Sequence, residues 1–227
     1  MKVDIITLFP RFFDGIFTQS ILSRAVEQHL LDVTIHDLRE YTADKHQQAD
    51  DYRFGGGPGM LLKPEPLFRA CDRLINEVKP RPLVIYTSAQ GRIFNQSVAA
   101  SLSRERHLIF ICGHYKGIDQ RVIDRWVDRE YSLGDFIITG GEPVVATIID
   151  ASVRLLQGVL GDLGSAHSDS FQDVILDCPH YTRPEITDGH GIPSVLMSGH
   201  HKNIEAWRSS ASTLVTKRRR ADLEKNL

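Results

Sequence analysis

Apolar residues recur along this chain in two rhythms, and the rhythms alternate. Short β-branched and aromatic runs predict strands at Lys2 to Phe9, Asp32 to Leu38, Pro82 to Ser88 and His107 to Cys112. A further extended stretch, Glu130 to Thr139, is broken at Gly134. Between these runs, apolar positions three or four residues apart predict helices. Phe13, Ile16, Phe17, Ile21, Leu22, Ala25 and Val26 mark one over Phe12 to His29. Pro64 and Pro66 open another, to about Val78, because proline fits a first helical turn. Asn95 caps a short helix to about Ser103, and others run Ile118 to Arg129, Pro143 to Leu156 and Ile204 to Arg219. Ala89-Gln90-Gly91 turns the third strand. Such alternation predicts an α/β fold around a mostly parallel sheet, with its core in residues 1 to about 160.

Past that point the pattern loosens. Gln157 to Pro179 is irregular and rich in Gly and Ser, so residues 161–180 read as an interdomain linker and residues 181–227 as a small helical domain. Charge follows the same division. The net charge of -2 argues against a general nucleic-acid binder. From Tyr181 to Leu227, however, eight Lys and Arg stand against five Asp and Glu, peaking at Lys217-Arg218-Arg219-Arg220. A run like this commonly decorates a helix C-terminus; phosphate contact is the alternative. The three cysteines form no C-x-x-C pair, which points to a reducing, cytoplasmic setting without disulfides. Asp4 and Pro10 interrupt the N-terminal apolar run, so no signal peptide is expected. No stretch approaches the ~20 apolar residues of a membrane span.

Candidate chemistry gathers between Ile111 and Glu142. Gly113-His-Tyr-Lys-Gly117 and Gly140-Gly141-Glu142 each follow an apolar run, an arrangement that brings backbone N–H groups to a ligand at strand carboxyl ends. Gly55 to Gly59 holds four glycines in five positions, more than a simple turn needs. No Lys-Ser/Thr follows it, and no G-x-G-x-x-G follows the first strand, so neither a P-loop nor a Rossmann fingerprint is present. There is no H-E-x-x-H and no tight metal-ligand spacing among the histidines, so no metal centre is expected; His200 and His201 read as surface residues. By pattern alone, Asp169 in the linker is a solvated or capping carboxylate. Arg154 in the apolar helix needs an anion or carbonyl partner, or must snorkel to water.

Taken together, the segments resemble the bacterial tRNA (guanine-N1)-methyltransferases of the knotted class. The resemblance is carried by Thr7-Leu-Phe-Pro10, Asp50-Asp51, Phe54-Gly-Gly-Gly-Pro-Gly-Met60, Gln90-Gly-Arg92 and Cys112-Gly-x-Tyr-x-Gly-Ile-Asp119. It continues through Ser132-x-Gly-Asp135, Gly140-Gly-Glu142, Gly158-Val-Leu-Gly161, Asp169-Ser-Phe171 and Leu176-Asp-Cys-Pro-His-Tyr-Thr-Arg-Pro184. It implies a trefoil knot, a feature composition could not have revealed. It further implies S-adenosylmethionine (SAM) as methyl donor, the guanine next to the anticodon as acceptor, and a homodimer with shared active sites. SAM would be held by Tyr86, Thr87, Ser88, Ala89, Gly113, Tyr115, Leu133, Gly134, Asp135, Phe136, Ile137, Ile138, Gly140 and Gly141. Asp169 takes the role of general base, lent by the partner subunit, and Arg154 that of the cation stabilising charge on O6. Asp50, Gly59, Lys116, Trp207, Arg218 and Arg219 would contact the tRNA anticodon arm.

Some positions depart from the family pattern. Lys116 stands where an acidic residue is usual, which puts a role for Mg²⁺ in doubt. Ala89, Gln157 and Ala221 replace prolines, and Pro143 comes one position early. Another knotted methyltransferase acting on ribosomal RNA or ribose, or a non-catalytic RNA-binding relative, are the competing readings.

Overall fold

The computed structural model describes residues 1–76, 78–161, 169–172 and 175–223. It falls into two compact units, Met1–Gly161 and Asp162–Leu227. The first contains β1 (Lys2–Thr7), α1 (Ser20–Glu27), β2 (Asp32–Asp37), β3 (Asp50–Tyr52), β4 (Met60–Leu62) and α2 (Pro64–Ile75). There follow β5 (Leu83–Ile93), α3 (Gln96–Leu102), β6 (His107–Cys112), α4 (Gln120–Trp126), β7 (Arg129–Ser132) and α5 (Glu142–Val153). Five strands make one sheet in the order β2-β1-β6-β5-β7, with every pairing parallel. β6 lies at its centre and all six of its residues are buried, as a strand covered on both faces must be. Alternate residues feed two cores. Val3, Ile5, Ile85, Leu108 and Phe110 face one side; Ile6, Val84, Tyr86, Ile109 and Ile111 face the other.

Several elements differ from the pattern read off the sequence. The helix predicted over Ile118 to Arg129 ends at Trp126, because Arg129 already belongs to β7, and β7 itself stops at Ser132, short of the extended stretch predicted to Thr139. The helix expected over Phe12 to His29 is a 3-10 turn at Pro10–Phe13, then turns, and only then α1. Ser20 takes a φ of 57°, which interrupts a continuous helix, and the apolar stripe packs from turns, with Phe17 stacked on buried Phe13. Nor does the chain simply turn at Ala89-Gln90-Gly91. β5 continues to Ile93, and its pairing with β7 breaks after Thr87 and resumes at Arg92. Ser88 to Gly91 is therefore looped out of the ladder. Gly91 permits this, since a Cβ there would lie 2.5 Å from the Tyr131 nitrogen.

A buried carboxylate ties three neighbouring strands. Asp4 on β1 accepts from His36 Nε2 on β2 at 2.7 Å and from His107 Nε2 on β6 at 2.6 Å. The Tyr41 hydroxyl meets His36 Nδ1 at 3.1 Å, so the imidazole is engaged at both nitrogens. Burial alone would raise the Asp4 pKa. The two imidazoles and the Lys2 ammonium outweigh burial and hold it below the ordinary carboxylate value. The stabilisation is thus present above the unfolded-state pKa and fades as pH falls through the lower folded one. Asp4→Ala should cost roughly 3–5 kcal/mol at neutral pH, because it strands the buried His107 donor and the partly buried one of His36. The gap between wild type and variant in urea midpoint should narrow as pH drops below about 4. A gap that widens with acid contradicts this.

The second unit holds a two-stranded hairpin, β8 (Ile186–Thr187) with β9 (His190–Gly191), a 3-10 turn at Ser194–Met197 and α6 (His201–Arg219). Inside it, Leu176 N–H donates to Thr216 Oγ1 at 2.9 Å and Asp177 N–H to Ser170 Oγ at 2.9 Å. No helix among the described residues is long and apolar enough to cross a membrane.

Candidate active site

The carboxyl ends of β5, β6 and β7 and the start of α5 surround a cavity of about 430 Å³. Parallel strands produce such a crevice because all their ends point one way. Thirteen of the fourteen residues expected to hold a donor line it; Asp135 alone does not. Backbone approaches backbone closely here. Gly141 N–H donates to Gly113 O at 2.8 Å, and His114 pairs with Gly140. A Cβ on Gly113 would lie 2.9 Å from the Tyr86 ring. One on Gly141 would lie 2.2 Å from Thr87 Oγ1 and 2.9 Å from Gly113 N. Glycine is needed at both positions for space, not for dihedral freedom.

The cavity lining mixes apolar with polar side chains, among them Thr87, Ser88, Gln90, His114 and Gln120. Thr87 Oγ1 is buried with no hydrogen-bond partner among the described residues, and a buried hydroxyl of this kind calls for a polar ligand atom. Burial, then the Glu130 charge, push the Tyr86 phenol to about 12, so it serves as a neutral hydrogen-bonding group. Phe136, Ile137 and Ile138 are exposed along the segment between β7 and α5. A cavity that combines apolar side chains, a backbone cradle and hydrogen-bonding groups suits a nucleoside. Glu142 at the start of α5 is buried, accepts from the Thr7 hydroxyl at 2.7 Å and sits where a helix N-terminus favours negative charge. No local pattern foretells that bond, which spans 135 positions. A second cleft, about 800 Å³, shares His114, Thr139 and Gly140 with the first and is bounded by Phe9, Phe12 and Arg39.

The glycine-rich segment is the turn of an antiparallel hairpin between β3 and β4. Gly55, Gly56 and Gly57 all have positive φ, as does Gly59 just past Pro58, so four of these five positions are ones that favour glycine. Burial raises the pKa of the Tyr115 phenol, and the negative charge of Asp50, on β3, raises it further. Lys116 crosses over Gly59. Arg154 is the C-cap of α5 and not an interior residue; its N–H closes the last turn on Asp150 O, where the helix dipole favours a cation.

Asp169 belongs to the second unit, in the short segment before Phe171, whose N–H donates to Ile175 O at 2.8 Å and whose ring lies under Arg220. Trp207 on α6 packs on Tyr181, and Arg218 and Arg219 are exposed in the last turn. One cluster was not foreseen. Asp177, Cys178 and His180 bring ligand-type atoms within 4.8 Å of one another, with His180 Nε2 and Asp177 Oδ2 at 2.8 Å. His200 and His201 are exposed at the start of α6, as expected.

Comparison with known proteins gives the family. The family model described as tRNA (Guanine-1)-methyltransferase TrmD matches residues 1–226. A protein of Geobacter metallireducens named tRNA (guanine-N(1)-)-methyltransferase is 46% identical over 223 residues, covering 98% of this chain and 91% of its own. Namesakes from Brevibacillus brevis (48% over 227 residues, 100% and 93%) and Carboxydothermus hydrogenoformans (49% over 225 residues, 99% and 88%) are equally similar. With the backbone-cradled cavity where that family's motifs fall, the chain belongs to the tRNA (guanine-N1)-methyltransferase family.

Proposed function

We propose that this protein transfers a methyl group from SAM to N1 of the guanine that follows the anticodon in tRNA. The observation that carries the reading is the cavity at the ends of β5, β6 and β7, where two space-limited glycines and an unpartnered Thr87 hydroxyl meet. The relatives' shared name supplies the substrate class. Thr87 and the main chain at Gly113 and from Leu133 to Ile138 would hold the donor, which brings an electrophilic methyl on a sulfonium. The turns at Tyr86 to Gly91, Gly113 to Gly117 and Leu133 to Gly141 would together form the trefoil knot.

The chain's own residues then have two tasks. Guanine N1 carries a proton and is a poor nucleophile until that proton leaves, so a carboxylate within hydrogen-bond reach is required. Asp169 takes the proton. Departure of the proton shifts negative charge to O6, and the planar Arg154 guanidinium meets it. In this reading residues 1–160 bind the donor, 161–180 carry the base, and 181–227 grip the anticodon arm through Trp207, Arg218 and Arg219. The base comes from the partner subunit of a homodimer working in the cytoplasm. Asp50 and the Gly59 hairpin contact bases near the target.

Labelled methyl from SAM should appear on unmodified tRNA and map to that one guanine. Label on ribosomal RNA or on ribose supports the competing methyltransferase reading instead. Arg154→Lys should slow single-turnover transfer by about 10²-fold, since a point charge cannot replace a planar fork. An undiminished rate removes Arg154 from the mechanism. Mixing Asp169 and Arg154 variants and allowing subunits to exchange should restore part of the activity. No recovery in verified heterodimers contradicts the shared site.

A further inference from the structure

Lys116 stands on the turn between β6 and α4, at the rim of the donor cavity. Both sides of it are tied to β4. Its N–H donates to Met60 O at 3.0 Å, and Gly117 O accepts from Leu62 N–H at 3.0 Å. Its carbon stem is seated on Gly59, where a Cβ would come 2.7 Å from Lys116 Cγ and 3.2 Å from Cε. The stem is therefore positioned while the residue as a whole remains exposed. Neighbouring cations are already engaged: Arg53 with Gly56 O, Arg39 with Asp37 and Arg121 with Asp119. Among the described residues no ion pair involves Lys116. The preceding residue, Tyr115, is half-exposed and lines the same cavity, so an aromatic ring and a cation share one turn.

Aromatic face and seated cation at one rim fit the two halves of a nucleotide. A base can enter or stack, while the sugar and its anionic phosphate stay outside, where the exposed ammonium is. We propose that Lys116 holds a backbone phosphate of the RNA beside the methylated nucleotide, a contact that positions the strand at the cavity mouth. The inference rests on the tRNA-methyltransferase reading above. A cation whose stem is held against Gly59 loses less freedom on binding than an unrestrained surface lysine.

The test is titration of a fluorescent unmodified tRNA transcript with the full-length protein over a salt series, for wild type, K116Q and K116R. SAM affinity of each preparation, measured by calorimetry, reports an intact cavity. K116Q should bind tRNA about five- to tenfold more weakly near ~0.1 M salt and lower the slope of log affinity against log salt by about one. K116R should restore both, and the loss in turnover should appear in KM rather than kcat. An unchanged salt slope in K116Q overturns the inference, as does a loss confined to the rate at saturating tRNA, which would place the ammonium on the reacting base. Wild-type protein that transfers no methyl to tRNA removes the underlying reading; wild-type transfer with an unaltered K116Q slope removes this inference alone.

Discussion

Asp169→Asn should abolish methyl transfer and leave SAM binding nearly intact. The amide keeps the shape of the side chain and cannot take the N1 proton, so the loss should be about 10²–10⁴-fold, the range typical of a general base. Binding should survive because Asp169 lies in the second compact unit while the cavity is built wholly from the first. Single-turnover transfer to a tRNA transcript and equilibrium dialysis with SAM measure the two halves separately. A rate equal to wild type dismisses Asp169 as the base. Lost donor affinity with lost rate would give the residue a structural task instead.

Gly141→Ala should have the opposite signature, with donor binding failing first. Gly141 has φ −78°, which alanine adopts freely, so backbone strain is not the cause. The added methyl would lie 2.2 Å from Thr87 Oγ1, 2.9 Å from Gly113 N and 3.0 Å from Cys112 Cα. Two of these neighbours are main chain and cannot rotate away. The Gly141–Gly113 hydrogen bond must open or the end of β6 must move, either of which deforms the cradle. We expect SAM affinity to fall by more than about tenfold and stability by about 1–3 kcal/mol, the usual cost of overpacking. Gly161→Ala, with nothing within 4 Å of the new methyl, is the matched control and should change neither. Normal affinity in the Gly141 variant would mean that the cavity does not bind the donor.

Much of this was written in the pattern of residues. β-branched runs at His107 to Cys112 and Leu83 to Thr87 became central strands because burial on both faces selects for them. Asn95 capped its helix through Oδ1 to the Val98 N–H, as its chemistry dictates. The glycine turns at Gly113 and Gly140 came together since strand ends in a parallel sheet converge. What stayed hidden was long-range. The Asp4 pairing with His36 and His107 and the Thr7–Glu142 bond join residues far apart in sequence, and no local periodicity encodes them. Phe12 to His29 misled because an apolar stripe can be buried equally well from turns. Arg154 reads as helix interior because no glycine marks the end of α5, which stops at Val153 with Arg154 as its cap.

The placement of β1 between β2 and β6 carries a consequence for synthesis. Its second neighbour begins only at His107, so a growing chain that has made β1 and β2 must wait for some seventy further residues before that edge is covered. At typical translation speeds the wait is on the order of ten seconds. Over that interval an apolar strand edge stands open to pairing with another nascent chain. A ribosome stalled before His107 should therefore display a sticky, chaperone-dependent intermediate, and one stalled well past Ser132 should not.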